Sequence, residues 1–243
     1  MAPTQDRFSD QLVALHEKAI SFTGMLDTVA IGVPGPVAGN TMGHSGPLGL
    51  AGSFSFSDCF PDAQHLIVRN DVYIALIAEI RAGAGRRFQN FVLVSTSTGT
   101  GVGVTISGQP LDIRTEMGHQ KFWMDIVSER PCISHSGCWE SICSGAALAD
   151  ADRACSAQEV RKANIYAFAN LALAYDPSAI AVMGGVALNR YDELIPDQTD
   201  LAHHVISKPT PQILKSELGP QIGVYGVMKL AEEHIKLTLR HKS

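Results

Sequence analysis

The chain has 243 residues, of which 45% are hydrophobic, 18% charged and 7% aromatic, a composition typical of a folded globular protein. That length suits one large domain or two smaller ones, and we expect a bilobed molecule. The 19 Lys and Arg against 24 Asp and Glu give a net charge of −5, without a basic face suited to nucleic acid or an anionic membrane.

The segments that would direct the chain to a membrane or out of the cell are not found in this sequence. No apolar run approaches the roughly 20 residues that a transmembrane helix requires. The first ten residues lack the basic start and apolar stretch of a secretory signal, so we expect a cytoplasmic protein. The 5 cysteines are therefore expected to be reduced thiols or metal ligands.

Helices and strands alternate in the predicted element order, which indicates an α/β fold. In chain order we predict a helix over 8–22, a strand over 28–33, an irregular segment over 34–62, a strand over 65–69, a helix after Asn70, strands over 91–97 and 102–106, helices over 139–151 and 158–175, a strand over 179–183 and a helix over 223–239. Asn70 stands where a helix N-cap belongs. The glycine-containing turn between the strands near residue 100 predicts a hairpin.

The run Gly99-Thr100-Gly101-Val102-Gly103 follows a predicted strand. Successive small residues let backbone N–H groups converge on an anion, so this run is a candidate phosphate cradle. A dinucleotide-binding fingerprint would continue into a helix, whereas here another strand follows, and no Gly-Lys-Ser/Thr closes a Walker loop. A tight hairpin without a ligand explains the same residues and stays open as an alternative.

Polar side chains occupy two further positions of interest. Asn70 and Asp71 lie at a strand-to-helix junction, where they either form part of a pocket floor or cap the helix. Glu116 and His119 are three residues apart, a spacing that suits binding of hydroxyls or a metal, or simply a solvated loop. Cys132, His135, Cys138 and Cys143 suggest zinc by composition, although no Cys-x-x-Cys pair is present and Cys143 falls in a predicted helix.

Seven segments, taken in chain order, resemble the ROK (repressor, ORF, kinase) branch of the hexokinase and actin-like ATPase superfamily. They are Ala30-Ile-Gly-Val-Pro-Gly-Pro-Val37, Asn70-Asp71, Ser97-Thr-Gly-Thr-Gly-Val-Gly103, Glu116-Met-Gly-His119, Gly137-Cys-Trp-Glu140 with Ser144-Gly145, Met183-Gly-Gly-Val186 and Ser216-Glu-Leu-Gly219. The resemblance implies two ribonuclease-H-like lobes with a cleft between them, the smaller formed by 1–88 with 226–243 and the larger by 89–225.

The resemblance also implies an activity, the ATP- and Mg²⁺-dependent phosphorylation of a hexose or N-acetylhexosamine at its primary hydroxyl. Asp71 would be the general base. The ring hydroxyls would be held by Asn70, Glu116, His119 and Glu140. The nucleotide would be bound by Thr98, Gly99, Thr100, Gly101, Gly103, Gly184 and Gly185. The partners expected from the resemblance are a small-molecule sugar, a nucleotide and a second copy of the chain in a homodimer.

The chain departs from the family pattern at its first phosphate-binding motif, because it contains no Asp-x-Gly-Gly-Thr. The first lobe is therefore expected to lack its opening three strands. This departure keeps open an alternative function, a non-catalytic sugar-binding remnant of a kinase. The repressor branch is disfavoured, since fewer than thirty residues precede the first predicted strand and no basic stripe is present.

A second departure concerns zinc. The family pattern is Cys-x-Cys-Gly-x-x-Gly-Cys, completed by the His of Glu-x-Gly-His. His119 and Cys138 match this pattern, Cys132 is shifted, and Ser134 or His135 occupies the remaining space. With two matching ligands where a structural site needs four, we expect no complete zinc site, and the candidate ligands are His119, Cys132 and Cys138. The residues do not specify which sugar or which phosphoryl donor is used.

Overall fold

The structure is a computed structural model that describes residues 5–113, 116–121, 130–132, 135–152, 155–206 and 209–241. The chain divides into two compact units, residues 1–78 with 220–243 and residues 79–219. The division into lobes expected from the sequence, 1–88 with 226–243 and 89–225, stays a prediction. None of the helices in the described ranges is both long and apolar enough to cross a bilayer.

The described residues contain α-helices and β-strands in mixed order. The strands are β1 (Thr28–Val33), β2 (Val37–Ala38), β3 (Thr41–Met42), β4 (Phe54–Ser55), β5 (His65–Asn70), β6 (Phe91–Thr96), β7 (Thr100–Ile106), β8 (Gln109–Pro110), β9 (Ala179–Met183) and β10 (Gln212–Lys215). The helices are α1 (Gln5–Thr23), α2 (Asp71–Ala82), α3 (Glu140–Cys143), α4 (Gly145–Ala149), α5 (Ala157–Tyr175), α6 (Gly185–Asn189), α7 (Tyr191–Leu194), α8 (Gln198–Ala202) and α9 (Ile222–His241).

The first unit is built on the parallel pair β1 and β5, in register from Thr28 opposite His65 to Val33 opposite Asn70. The apolar residues of β1 and the apolar run 66–68 of β5 suit a parallel pair. A Cβ placed on Gly32 would lie 2.9 Å from Ile74 Cδ1 and 3.8 Å from Val227 Cγ1. Helices α2 and α9 therefore pack against this face of β1.

The segment 34–62, predicted to be irregular, contains the small antiparallel sheet β2-β3-β4. Its strands are only two residues long, too short to produce a readable alternation in the sequence. Phe54 and Phe56 are buried and contact each other edge to face, with ring centroids 4.9 Å apart. Phe8 of α1 packs on Phe54 at 5.1 Å, which joins this segment to the core of the first unit.

The second unit contains a five-stranded sheet in the order β10-β9-β6-β7-β8. Strands β10, β9 and β6 are parallel, whereas β7 and β8 continue the sheet in antiparallel fashion. The predicted hairpin is confirmed, because β6 and β7 pair from Phe91 opposite Thr105 to Thr96 opposite Thr100. Strand β10 and the short helices α6, α7 and α8 were not predicted, since each is too short for a periodic pattern.

The predicted helix over 139–151 is interrupted at Ser144, which ends α3 and begins α4. Ser144 has an extended backbone, and its hydroxyl accepts a hydrogen bond from Ala147 N at 3.2 Å, the geometry of an N-cap. Trp139 is fully buried just before α3 and donates its indole N–H to Asn164 Oδ1 at 2.7 Å. This hydrogen bond ties the start of α3 to α5 in the core of the second unit.

A buried carboxylate explains part of the closing Ser216-Glu-Leu-Gly219 motif. Glu79 is fully buried, and its side chain accepts hydrogen bonds from Ala84 N at 2.6 Å and Ser216 Oγ at 2.5 Å. Burial of an acid is tolerated when such donors compensate for lost water. Ser216, the residue that follows β10, is therefore hydrogen-bonded to the carboxyl half of α2.

We predict that Gly226→Ala lowers the free energy of unfolding by about 1–3 kcal/mol, the usual cost of overpacking a core. The added Cβ would lie 2.1 Å from the carbonyl oxygen of Ile74, so α9 would have to move away from α2. Gly223→Ala is the matched control on the same helix, since no heavy atom lies within 4 Å of its added Cβ.

This control should be neutral or stabilising by up to about 1 kcal/mol, because alanine favours helices over glycine. Urea unfolding of both variants measures the difference. Equal losses of stability in the two variants would contradict direct packing of α9 on α2.

Candidate functional site

The turn between β6 and β7 is held by the start of α4. Ser97 N donates to Gly99 O at 2.9 Å within the turn, and Gly145 N donates to Ser97 O at 2.6 Å. Ala146 N donates to Thr98 O at 3.2 Å. Ser97 and Thr98 remain exposed while their carbonyl groups are satisfied. The predicted phosphate-binding turn is thus a fixed, solvent-facing hairpin.

The second glycine pair approaches the same strand end. Gly184 has a φ of 94°, and a Cβ added there would lie 2.2 Å from Thr96 O. The residue before α6 therefore packs directly on the end of β6, and only glycine allows both the conformation and the contact. Ligands of parallel sheets bind at such carboxyl ends. Gly103, also predicted to bind nucleotide, lies buried within β7 opposite Leu93.

The Glu116-Met-Gly-His119 motif packs against the first residue of β7. A Cβ on Gly118 would lie 1.9 Å from the carbonyl oxygen of Thr100, so the two backbones are in direct contact. Met117–His119 form one turn of 3₁₀ helix after Glu116. The motif glycine is therefore a packing requirement that brings the acid and the imidazole beside the glycine turn.

Glu140 contacts the glycine turn and Cys132. Its Oε2 accepts a hydrogen bond from Thr100 N at 2.7 Å, and its Oε1 lies 3.4 Å from Cys132 Sγ, which donates to it. The side chain is half-buried at the first residue of α3. Within the second unit, the structure thus places the predicted sugar-binding residue Glu140 next to both the glycine turn and the Cys132 thiol.

Four side chains form a cluster with the composition of a metal site: His119, Cys132, His135 and Cys138. Their donor atoms all lie within 4.8 Å of one another, and Nδ1 of His119 is 3.4 Å from Cys132 Sγ and 3.7 Å from Cys138 Sγ. Zinc bonds of about 2.0–2.3 Å in a tetrahedron put neighbouring donors about 3.3–3.8 Å apart. The donor set and these two distances fit zinc.

This cluster revises the expectation of an incomplete ligand set, since it contains Cys132 and adds His135 as a fourth donor. Ser134, the other residue considered for that space, lies outside the described residues. Cys143 is not part of the cluster. It is buried within α3, where its Sγ lies 3.2 Å from Thr100 Oγ1 and burial raises its pKa strongly.

The cluster stabilises a thiolate and a protonated imidazole. The hydrogen bond with Cys138 is the main cause that raises the pKa of His119, and the charges of Glu140 and Glu116 add to it. Burial alone would raise the pKa of Cys138, but hydrogen bonds from His119 and its other neighbours outweigh that effect and lower it. Burial lowers the pKa of His135. A bound cation would replace the proton on His119 as the partner of the thiolate.

Asn70 and Asp71 belong to the first unit. Asn70 Oδ1 accepts from Val72 N at 2.9 Å and from Tyr73 N at 3.3 Å, which confirms the predicted N-cap of α2. Asn70 Nδ2 donates to Gly35 O at 3.1 Å, so the residue also fixes the loop after β1. Asp71 Oδ1 accepts from Val72 N at 2.9 Å.

Asp71 has the electrostatic environment of a base. Solvent reaches part of its side chain, yet the surrounding protein removes enough hydration to raise the pKa of its carboxyl above 3.8, against two backbone hydrogen bonds that lower it. A carboxylate whose pKa is raised binds a proton more readily. That Asp71 acts on the same substrate as the residues of the second unit stays a prediction.

A cavity of about 460 Å³ in the second unit lies away from these residues, between α5, α7 and β10. It is lined in part by Arg161, Tyr191 and Ile213, and by none of the predicted site residues. The Arg161 guanidinium already donates to the Asp200 carboxylate at 2.5 Å and to the Asp192 carbonyl oxygen at 3.4 Å. The Arg161 guanidinium of this cavity is therefore already engaged within the chain.

Several solved structures have a similar fold. A glucokinase of the ROK family from Streptomyces griseus, crystallised with glucose and AMPPNP, has a TM-score of 0.72 at 23% identity, covering 95% of this chain and 89% of its own. The ROK hexokinase from Thermus thermophilus has a TM-score of 0.71 at 21% identity, covering 95% of this chain and 87% of its own.

A ROK family transcriptional regulator, a homologue of the Escherichia coli MLC protein, has a TM-score of 0.68 at 19% identity, covering 93% of this chain and 69% of its own. At such identities the likeness establishes the fold, the mixed α/β fold of actin-like ATPases expected from the sequence.

No curated protein sequence matches significantly. A model of the ROK family, however, matches residues 3–234. The resemblance seen in the seven motifs is thereby confirmed, and the chain belongs to the ROK family.

Proposed function

We propose that this protein is a sugar kinase that transfers the terminal phosphoryl group of ATP to the primary hydroxyl of a hexose or N-acetylhexosamine. The observation that supports this most directly is the contact between Glu140 and Thr100, at 2.7 Å, which sets a sugar-binding candidate against the phosphate-binding turn. The glucose and AMPPNP complex of the Streptomyces griseus glucokinase, which shares the fold, supports the same ligand classes.

The residues of the second unit would bind and orient the substrates. Glu116 and Glu140 can accept hydrogen bonds from sugar hydroxyls, and the His119 ring can donate through Nε2 while its Nδ1 faces the two cysteines. The exposed Thr98 and half-buried Gly99 would contact phosphate oxygens. Mg²⁺ bound with ATP would neutralise phosphate charge. Phosphoryl transfer depends mainly on such positioning and charge stabilisation.

Asp71 would take the proton from the attacking hydroxyl. Its raised pKa fits this role, because a base is most effective when its pKa lies nearer the working pH. Asn70 would position Asp71 through the N-cap of α2 and retain one amide hydrogen for a sugar oxygen.

A second candidate function is a sugar-binding protein without phosphoryl transfer. The observation that favours it is the lack of an Asp-x-Gly-Gly-Thr sequence in this chain, since that motif contributes a carboxylate and a glycine turn to family kinases. Both candidates share the hydroxyl-binding residues, so they differ only in nucleotide binding and turnover.

Isothermal titration separates the two candidates. We expect the wild-type protein to bind glucose or N-acetylmannosamine and, in a separate titration, Mg-AMPPNP. A coupled assay should then detect sugar phosphate formation with ATP. Binding of sugar without nucleotide would favour the second candidate, and binding of neither ligand would contradict both.

We predict that Asp71→Asn reduces phosphorylation by about 10²–10⁴-fold, the usual contribution of a general base, while sugar affinity changes little. The amide keeps the shape of the side chain and an oxygen for Val72 N, but it cannot accept the proton. In the wild type, kcat/KM should fall as the pH drops through a pKa above 3.8, because burial disfavours the charged base. Steady-state assays across pH measure both effects.

Asp62→Asn is the control for this prediction, because Asp62 is an exposed acid of the same unit. Its turnover and pH profile should match those of the wild type. Persistence of wild-type turnover in Asp71→Asn would remove Asp71 from the role of base.

We also propose that His119, Cys132, His135 and Cys138 bind one structural zinc ion. The support is the fit of their donor distances to a tetrahedral site and the lowered pKa of Cys138, since thiolate is the form that binds metal. With four protein ligands the site would be closed, so the ion would hold the segment before Glu140 in place and leave the chemistry to other groups.

The zinc proposal predicts about one zinc ion per chain in protein purified without chelators, measured by inductively coupled plasma mass spectrometry. Cys138→Ser and His135→Ala should each lose most of this zinc. Cys155→Ser should retain it, because Cys155 lies outside the cluster. Zinc-free wild-type protein that also fails to take up added zinc would contradict the site, and full occupancy in His135→Ala would exclude His135 as a ligand.

A further inference from the structure

The structure assigns Glu140 a second task beyond holding a sugar: its carboxylate fixes the glycine turn through Thr100, so that sugar binding and nucleotide binding are coupled through this one side chain. Glu140 is thereby a positioning residue for the phosphate-binding turn. The inference rests on the proposed function, because it joins the sugar and the nucleotide assigned there.

The first step of the argument is the strength of the contact. Glu140 Oε2 accepts a charge-assisted hydrogen bond from the backbone amide of Thr100 at 2.7 Å. Thr100 is only 8% exposed, so water competes little for this amide. A Cβ on Gly99 would lie 2.9 Å from the same oxygen. The carboxylate therefore occupies the space beside the turn that a side chain at position 99 would need.

The second step is the acceptor capacity that Glu140 retains. A carboxylate has about four acceptor positions on its two oxygens. Oε2 is engaged by Thr100 N, and Oε1 receives only a weak hydrogen bond from the Cys132 thiol at 3.4 Å, which is lost when that thiol becomes a zinc-bound thiolate. The side chain is half-buried, so a hydroxyl can reach it. One carboxylate can thus hold the turn and a sugar hydroxyl together.

The third step is that the other contacts of the turn are made mainly by backbone, apart from the Thr100 hydroxyl, whose Oγ1 lies 3.2 Å from Cys143 Sγ. Gly145 N and Ala146 N hold the carbonyl groups of Ser97 and Thr98, and Gly118 packs on the carbonyl of Thr100. Glu140 supplies a side-chain contact to the backbone of the turn, with torsions that can change. A sugar hydroxyl bound to Oε1 would restrict those torsions and hold Thr100 N more firmly. Sugar should therefore order the turn and favour nucleotide binding.

The test compares the wild type with Glu140→Ala, Glu140→Gln and the control Glu193→Gln, an exposed acid paired with Arg190 in the same unit. In the absence of ligands, hydrogen exchange at the Thr100 amide, followed by NMR, should be at least about tenfold faster in Glu140→Ala. Glu140→Gln should keep most of the protection, because its carbonyl oxygen can still accept from Thr100 N. Glu193→Gln should match the wild type.

The coupling is measured by titrating Mg-AMPPNP with and without saturating glucose. In the wild type and in Glu193→Gln, glucose should tighten nucleotide binding by about fivefold or more, and Glu140→Ala should lose this effect. Equal Thr100 exchange in the wild type and Glu140→Ala would overturn the positioning role. Independent binding of the two ligands in the wild type would overturn the coupling.

Failure of the proposed function gives a different result. In that case the wild type binds neither ligand, while the exchange experiment still decides whether Glu140 holds the turn. If Glu140→Ala does not fold, Glu140→Gln carries the test. Its neutral oxygen accepts a weaker hydrogen bond, so modestly faster Thr100 exchange together with a smaller effect of glucose on nucleotide binding supports the inference, and wild-type values of both overturn it.

Discussion

The candidate site of the second unit depends on the close backbone packing around the turn that joins β6 to β7. Three glycines make this packing, and a Cβ on any of them would meet a carbonyl oxygen of the strand ends or the turn: Gly184 at 2.2 Å from Thr96, Gly118 at 1.9 Å from Thr100 and Gly145 at 2.7 Å from Ser97. Carbon and oxygen cannot approach that closely, so glycine is required at each position. Through these contacts, segments distant in the chain bring His119 and Glu140 beside the turn.

The sequence was sufficient to predict the elements whose pattern is local. The apolar run before Pro34, the cap at Asn70 and the hairpin at Gly99 each depend on residues that are neighbours in the chain, and the structure contains all three. The reason for Gly118 could not be read in the same way. Its partner is the carbonyl of Thr100, and a packing contact between separate segments leaves no periodic signal.

The metal cluster illustrates the same limit for ligand spacing. Cys132 and His135 do not fit a Cys-x-x-Cys pattern, and counting family matches gave an incomplete set. In the structure, Cys132 N donates to His135 O at 2.6 Å, and Pro131 pairs with Ser136 in an antiparallel bridge. These backbone contacts place Cys132 and His135 beside each other, so both donors lie close to His119. The ligands at 132, 135 and 138 are each three residues apart, which is a zinc-motif spacing with His in the place of a Cys.

Because the same fold serves sugar kinases and a transcriptional regulator, the activity must be argued from the hydrogen-bonding capacity of individual groups. Asn70 Oδ1 accepts hydrogen bonds from two backbone amides of α2, and Nδ2 donates one hydrogen to Gly35 O. The second hydrogen of Nδ2 remains for a ligand. Asp71 Oδ1 receives a hydrogen bond from Val72 N at 2.9 Å. The Asn70 side chain thus fixes the start of α2, and the start of α2 fixes the position of the Asp71 carboxylate. An N-cap at Asn70 and the proposed general base at Asp71 are compatible, because the cap fixes the helix start from which the Asp71 side chain extends.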